Sequence, residues 1–112
     1  MPIPDPLLPT LRAALARLIP ADQDLGALEL GAEAFIHERI AENPGLLVVY
    51  ERGLTALADQ DFTTQTPDQQ DEILRNAETR YPEFIPVIAN HAIEAVYTHP
   101  EGLRMVGFKV TL

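Results

Sequence analysis

Cysteine, tryptophan and serine are all missing from this 112-residue chain, and Lys109 is its only lysine. Each absence removes chemistry. Without Cys or Ser there is no thiol or serine nucleophile, no disulfide and no dithiol redox pair. Thiolate-ligated zinc, iron–sulfur clusters and thioether-linked haem go with them. The GK[ST] phosphate loop cannot be written with these residues, and no G-x-G-x-x-G occurs. Basic residues are also scarce. Eight stand against 17 acidic ones, for a net charge of −9. Affinity for a phosphate backbone comes from clustered Lys and Arg. Neither half of the chain carries such a cluster, so nucleic acid and anionic membrane are both poor partners. No apolar run approaches the ~18 residues of a membrane span, so no membrane insertion is expected. The opening Met1-Pro2-Ile3-Pro4-Asp5-Pro6 has neither the basic nor the apolar region of an export signal. The expected location is therefore cytoplasmic, or periplasmic if a leader preceded it.

What is present suits a folded domain. Apolar residues make up 46% of the chain and charged ones 22%, which is enough apolar material for a packed core. A chain of this length is one domain at most, 1–112, because domains usually run to about 100–150 residues. Ten prolines divide it into helical pieces. Residues 1–9 form a Pro-rich, extended lead-in. Thr10 then suits an N-cap, and Leu11, Leu15, Leu18 and Ile19 fall on one helical face up to Pro20. A second helix follows Asp22-Gln23-Asp24 with the stripe Leu28, Ala32, Phe35, Ile36 and Ile40. Gly31 inside it costs roughly 1 kcal/mol or marks a kink.

Asn43-Pro44-Gly45 breaks the chain again, with Asn43 as cap and Pro44 at the first helical position. Leu46-Leu47-Val48-Val49-Tyr50 alone has the look of a buried strand. The apolar pattern runs on through Leu54, Leu57 and Ala58, too long for a strand, so it predicts a helix. Val48, Val49 and Tyr50 are expected in the core. Thr66-Pro67-Asp68-Gln69 has the capping-box form and opens a helix to about Thr79. The last helix begins near Pro86, with Phe84, Val87, Ile88, His91, Ala92 and Ala95 on one face, and stops at His99-Pro100. From Val106 the period changes to alternation. The prediction is all-α: a small bundle of four to five short helices, with residues 103–112 as an extended C-terminal arm.

Several stretches resemble one known family. Leu11-Arg12-Ala13-Ala14-Leu15-Ala16-Arg17-Leu18-Ile19-Pro20-Ala21-Asp22 is similar to the opening of the gluconate 2-dehydrogenase subunit 3 (small subunit) family, where a leucine-rich helix closes on Ile-Pro-x-Asp. Gly31 to His37, with Phe35-Ile36, resembles that family's Gly…Phe-Ile segment. Tyr50-Glu51-Arg52-Gly53-Leu54 resembles its Tyr-x-x-Gly-Leu. Tyr97-Thr98-His99-Pro100 and Val106-Gly107-Phe108 resemble its Tyr-x-x-Pro and Ile-Gly-Phe. The resemblance implies a non-catalytic helical accessory subunit without a cofactor of its own. Its partner would be a large flavin-dependent dehydrogenase subunit of the glucose–methanol–choline type, which it binds or helps to mature. In this chain the export leader usual for that family is not visible. Its Gly-rich stretch before Ile-Gly-Phe is reduced to Glu101-Gly102-Leu103-Arg104-Met105. A stand-alone, self-associating helical domain is the alternative.

Metal chemistry is the rival from another class. His91 and Glu94 are three apart on one helix, and Glu33 and His37 four apart on another, so each pair can reach one ion. The ferritin-like pattern of two Glu-x-x-His motifs and two further Glu is not met. His91 lies on an apolar face, where a core histidine bonded to a carbonyl or carboxylate is the ordinary explanation. His37 is expected in solvent and His99 in a loop. Carboxylate pairs such as Asp59 with Asp61, or Asp71 with Glu72, could do acid–base work, but 17 carboxylates in 112 residues make such adjacency a matter of chance. No catalytic or cofactor-binding residue is assigned. The partner contact is expected on the arm, where Val106, Phe108, Val110 and Leu112 are apolar on one side.

Overall fold

The structure is a computed structural model that describes residues 3–19, 26, 27 and 30–98. Five helices are present, α1 (Leu8–Leu18), α2 (Ala32–Glu42), α3 (Gly45–Ala58), α4 (Pro67–Arg80) and α5 (Phe84–Thr98), and no strand occurs among the described residues. The all-α bundle predicted from the sequence is what forms. Residues 99–112 fall outside the described residues, and with them His99 and the arm residues Val106, Phe108, Val110 and Leu112.

The lead-in does more than extend. Ile3 is buried, and Asp5–Leu7 winds into a 3₁₀ turn closed by the Leu7 N–H on the Pro4 carbonyl at 2.9 Å. That turn packs on α1 and α3. It also moves the start of α1 earlier than Thr10. The helix opens at Leu8 with Pro9 in its first turn, where a missing N–H has no intrahelical partner to lose. Thr10 is therefore a buried helical residue rather than the cap. The far end is as expected: Ile19 adopts φ −136°, ψ 83°, the extended conformation that a following proline imposes.

Gly31 is likewise outside the helix assigned to it. It stands at the N-cap of α2 with φ 84°, a left-handed conformation that favours glycine. No atom lies near enough to crowd a β-carbon there, so the dihedral, not space, calls for Gly. Its carbonyl accepts the first helical bond from the Phe35 N–H at 3.1 Å. α2 buries Ala32, Ile36 and Ile40 at i, i+4, i+8, while Phe35 is only half-buried.

α3 begins one residue later than expected, at Gly45, with Pro44 in the cap position. Its buried set, Tyr50, Gly53, Leu54 and Leu57, is spaced i, i+3, i+4, i+7, which decides the strand-or-helix question for the Leu46–Tyr50 run. Val48 falls off that stripe and is 58% exposed, against the expectation of a core residue. After α3 the chain turns through Asp61 (φ 54°) and buries Phe62, whose carbonyl accepts a bond from the Gln70 side-chain amide at 2.8 Å. The predicted capping box closes α4: the Gln69 N–H bonds Thr66 Oγ1 at 3.2 Å, and the Thr66 N–H bonds Gln69 Oε1 at 3.0 Å. α5 starts two residues before Pro86, which its first turn accommodates.

α5 packs against all four other helices, as α1 and α3 also do. Its buried face is Phe84, Ile85, Ile88, His91, Ala92, Ala95 and Val96. At one point it touches α3 at backbone range: a β-carbon on Gly53 would collide with the Phe84 ring. Two bidentate ion pairs tie α1 to its neighbours. Arg17 grips Asp71 of α4 with both contacts at 2.9 Å, and Arg12 grips Glu33 of α2 at 2.6 and 3.1 Å. The Arg17 hydrogen bonds hold Asp71 below the ordinary carboxylate range, and those from Arg12 do the same to Glu33. No described helix is long and apolar enough to cross a membrane.

Core position sets the cost of truncation. Ile88 is fully buried, so Ile88→Ala should lower stability by about 2–5 kcal/mol. Phe35 is half-buried, so Phe35→Ala should cost less, about 1–2 kcal/mol. Chemical denaturation of the two variants checks the order; an equal or reversed ranking would contradict the packing described.

Candidate functional site

Two features stand apart from ordinary core packing, and both lie along the α3–α5 seam. The first is a buried polar pair. Tyr50 and His91, 41 residues apart in sequence, bring their rings to 5.9 Å at an interplanar angle of 11°, with Tyr50 Oη 2.7 Å from His91 Nδ1. Phe84 meets the Tyr50 ring edge-on at 6.1 Å, and Phe35 meets the His91 ring edge-on at 6.3 Å. The Arg39 guanidinium lies 5.0 Å over Phe35. Four rings from α2, α3 and α5 thus form one continuous chain of contacts.

Burial decides how the pair shares its proton. It pushes the Tyr50 hydroxyl well above the ordinary phenol range, with the Glu94 charge adding to the rise. It also pushes the His91 imidazole below its ordinary value; Glu94 opposes that shift and Arg39 reinforces it. Both groups are therefore neutral near pH 7. Tyr50 donates its O–H to Nδ1, which leaves the imidazole proton on Nε2. The partner of His91 is thus a tyrosine hydroxyl and not the carbonyl or carboxylate expected. A satisfied buried hydrogen bond of this kind fixes the register of two helices.

The metal candidates do not converge. Glu33 is occupied by Arg12, Glu94 is exposed on α5, and no group of three or more His, Asp or Glu placed to hold an ion occurs among the described residues. His37 is not in solvent as expected. It is half-buried, and its Nε2, like Arg39 Nε, is shielded with no hydrogen-bond partner. The carboxylate pairs are also separated: Asp71 is held by Arg17 and Glu72 by Arg75 at 2.6 Å, while Asp59 and Asp61 lie exposed beyond α3.

The second feature is a surface cleft of about 260 Å³ between α3 and the turn from α4 into α5. Val48, Val49, Gly53 and Phe84 give it an apolar lining; Arg52, Arg80, Tyr81 and Glu83 complete it. Two further recesses adjoin it at Tyr81, one toward Thr55 and Asp59 along α3 and one toward Asn76 on α4. Six arginines are described. Arg12, Arg17, Arg39 and Arg75 each pair with a carboxylate, while Arg52 and Arg80, both in this cleft, pair with none among the described residues. Sequence reasoning missed the cleft because its walls come from α3 and from the α4–α5 turn, some 30 positions away. The one local signal was Gly53, a helix-interior glycine on the buried stripe of Tyr50, Leu54 and Leu57.

Tyr50→Phe removes the hydroxyl and leaves His91 Nδ1 unsatisfied, which should cost about 1–3 kcal/mol. The pH profile follows from the two shifts. Below the ordinary imidazole value of 6.5 the unfolded chain takes up a proton that folded His91 resists, so the pair's contribution is full above that pH and falls as pH drops through it. Above the ordinary phenol value of 10.0 the unfolded chain releases a proton that folded Tyr50 keeps, so stability falls again. NMR titration of His91 and thermal melts across pH check both; an imidazole titrating at or above 6.5 would contradict the buried neutral pair.

The Tyr50–Leu54 segment supplies one partner of the polar pair, one cleft arginine and the glycine of the seam, so its spacing has a physical reason. The model of the family described as gluconate 2-dehydrogenase subunit 3 matches residues 8–109. Comparison with curated proteins and with solved structures gives no significant match. With the match spanning all five helices, the chain belongs to the gluconate 2-dehydrogenase subunit 3 family, a family of dehydrogenase-complex subunits.

Proposed function

We propose that the chain is a non-catalytic accessory subunit that binds a large flavin-dependent dehydrogenase subunit of the glucose–methanol–choline type and aids its maturation. Family membership over residues 8–109 is the observation that carries this reading. The residue inventory supports it: with no Ser or Cys in the chain, the nucleophiles of most covalent catalysis are missing. The buried Tyr50–His91 pair supports it too. Its hydrogen bond is satisfied within the core, as suits a structural lock between helices. The redox chemistry of the complex resides in the partner's flavin, and this chain contributes surface, not a cofactor.

The contact includes the C-terminal arm. Val106, Phe108, Val110 and Leu112 alternate with Gly107, Lys109 and Thr111, a pattern that presents one apolar edge for strand addition or wrapping. Each such side chain buried against a partner is worth roughly 1.5–3 kcal/mol.

The test is affinity capture from the native cell. The tagged chain should retain a flavoprotein, recognised by flavin absorbance and by peptide sequence as a large dehydrogenase subunit. A chain lacking residues 106–112 should retain far less while keeping its helical circular dichroism. Capture of no flavoprotein by the full chain would overturn the proposal; undiminished capture by the truncated chain would overturn the role of the arm.

A further inference from the structure

We propose that the α3/α4–α5 cleft is a docking site for a partner segment in which an apolar side chain is flanked by carboxylates, contributed, on the accessory-subunit reading above, by the large dehydrogenase subunit. The cleft has the two properties such a segment needs. Its floor is apolar, with Val48 58% exposed, Val49 half-buried beside it, and the buried Phe84 ring packed beneath against Gly53. Its walls carry Arg52 and Arg80, both exposed.

The charge pattern identifies the occupant. In a chain with 17 acidic and eight basic residues, carboxylates are the abundant partner, and every other described arginine has found one. Arg52 and Arg80 have not, although Glu83 lines the same cleft and Glu51 the adjoining recess. A guanidinium presents a planar fork that matches a carboxylate in bidentate fashion. Two such forks beside an apolar floor match a peptide carrying its anions next to its hydrophobe. Arginine beside aromatic and aliphatic floor residues is also the composition of interface anchors. A second copy of this chain is the weaker occupant, since two bodies of net charge −9 repel on approach.

The experiment separates this inference from the reading it rests on. The flavoprotein captured by the wild-type chain is purified and titrated onto immobilised wild type, the double variant Arg52→Glu/Arg80→Glu, and Arg75→Glu. Arg75 is a surface arginine that lines none of the recesses described here, so its reversal gauges the bulk-charge effect of each reversed arginine. Neither reversed cleft residue makes an ion pair among the described residues, so the double variant should melt as wild type does; Arg75→Glu gives up only an exposed pair with Glu72, which adds little to stability. The expected result is a loss of about tenfold or more in affinity for the double variant, against about twofold for Arg75→Glu. Wild-type binding should also weaken as salt is raised. Equal flavoprotein binding by the double variant and wild type overturns the cleft as docking site and leaves the accessory role standing. So does a matching loss in Arg75→Glu. A double variant that changes only the self-association of the chain, read by sedimentation, assigns the cleft to a second copy and overturns the inference. Failure of the wild type to bind any flavoprotein overturns the accessory role and the inference together.

Discussion

The Phe84 ring fills the space that a side chain at position 53 would occupy, and this close approach of α3 to α5 fixes the geometry around it. One turn before Gly53 in α3 stands Tyr50; two turns after Phe84 in α5 stands His91. With the helices held this close, the two rings stack and the Tyr50 hydroxyl reaches Nδ1 at 2.7 Å. On the outer side of the same seam, Val48, Val49, Gly53 and Phe84 line the surface cleft. A glycine inside a helix costs roughly 1 kcal/mol relative to alanine. At this position the loss is offset by burial of the Phe84 and Tyr50 rings, which meet edge-on at 6.1 Å.

Electrostatics divides the molecule in a complementary way. Inside, the polar pair is neutral because burial disfavours both the phenolate and the imidazolium. Outside, two bidentate arginine–carboxylate pairs link α1 to α2 and α4. These are surface contacts, screened by salt, and they orient helices more than they hold them together. The arginines of the cleft are the exception to this pairing, which is why the surface there differs in kind from the acidic remainder.

Signals that act within one or two turns were legible in the sequence. The Thr66–Gln69 capping box is such a signal, and it forms as read. The extension of the Leu46–Tyr50 run through Leu54 and Leu57 was another, because only a helix places those residues on one face. Errors arose where a local preference had competitors. Thr10 is a good cap, yet Pro9 is equally good in a first turn, and the buried Ile3 with its 3₁₀ turn tipped the start to Leu8. Gly31 looked like an interruption of α2 and is its left-handed cap. Val48 shares composition with its buried neighbours but not their helical angle. The Tyr50–His91 pair and the Arg52/Arg80 cleft were out of reach for a different reason. Each joins residues some 30 to 40 positions apart, and no spacing rule within one element encodes such a meeting.

The most direct test of the seam is a double-mutant cycle on Gly53→Ala and Phe84→Ala, followed by equilibrium denaturation. Gly53→Ala alone should destabilise by about 1–3 kcal/mol, as overpacking does, despite the better helix propensity of alanine. Phe84→Ala alone should cost about 3–5 kcal/mol. In the double variant the alanine at 53 meets no ring and returns part of its helix-forming advantage, so the combined loss should fall short of the sum by about 1 kcal/mol or more. Strict additivity, or a stabilising Gly53→Ala, would contradict the close approach on which the account rests.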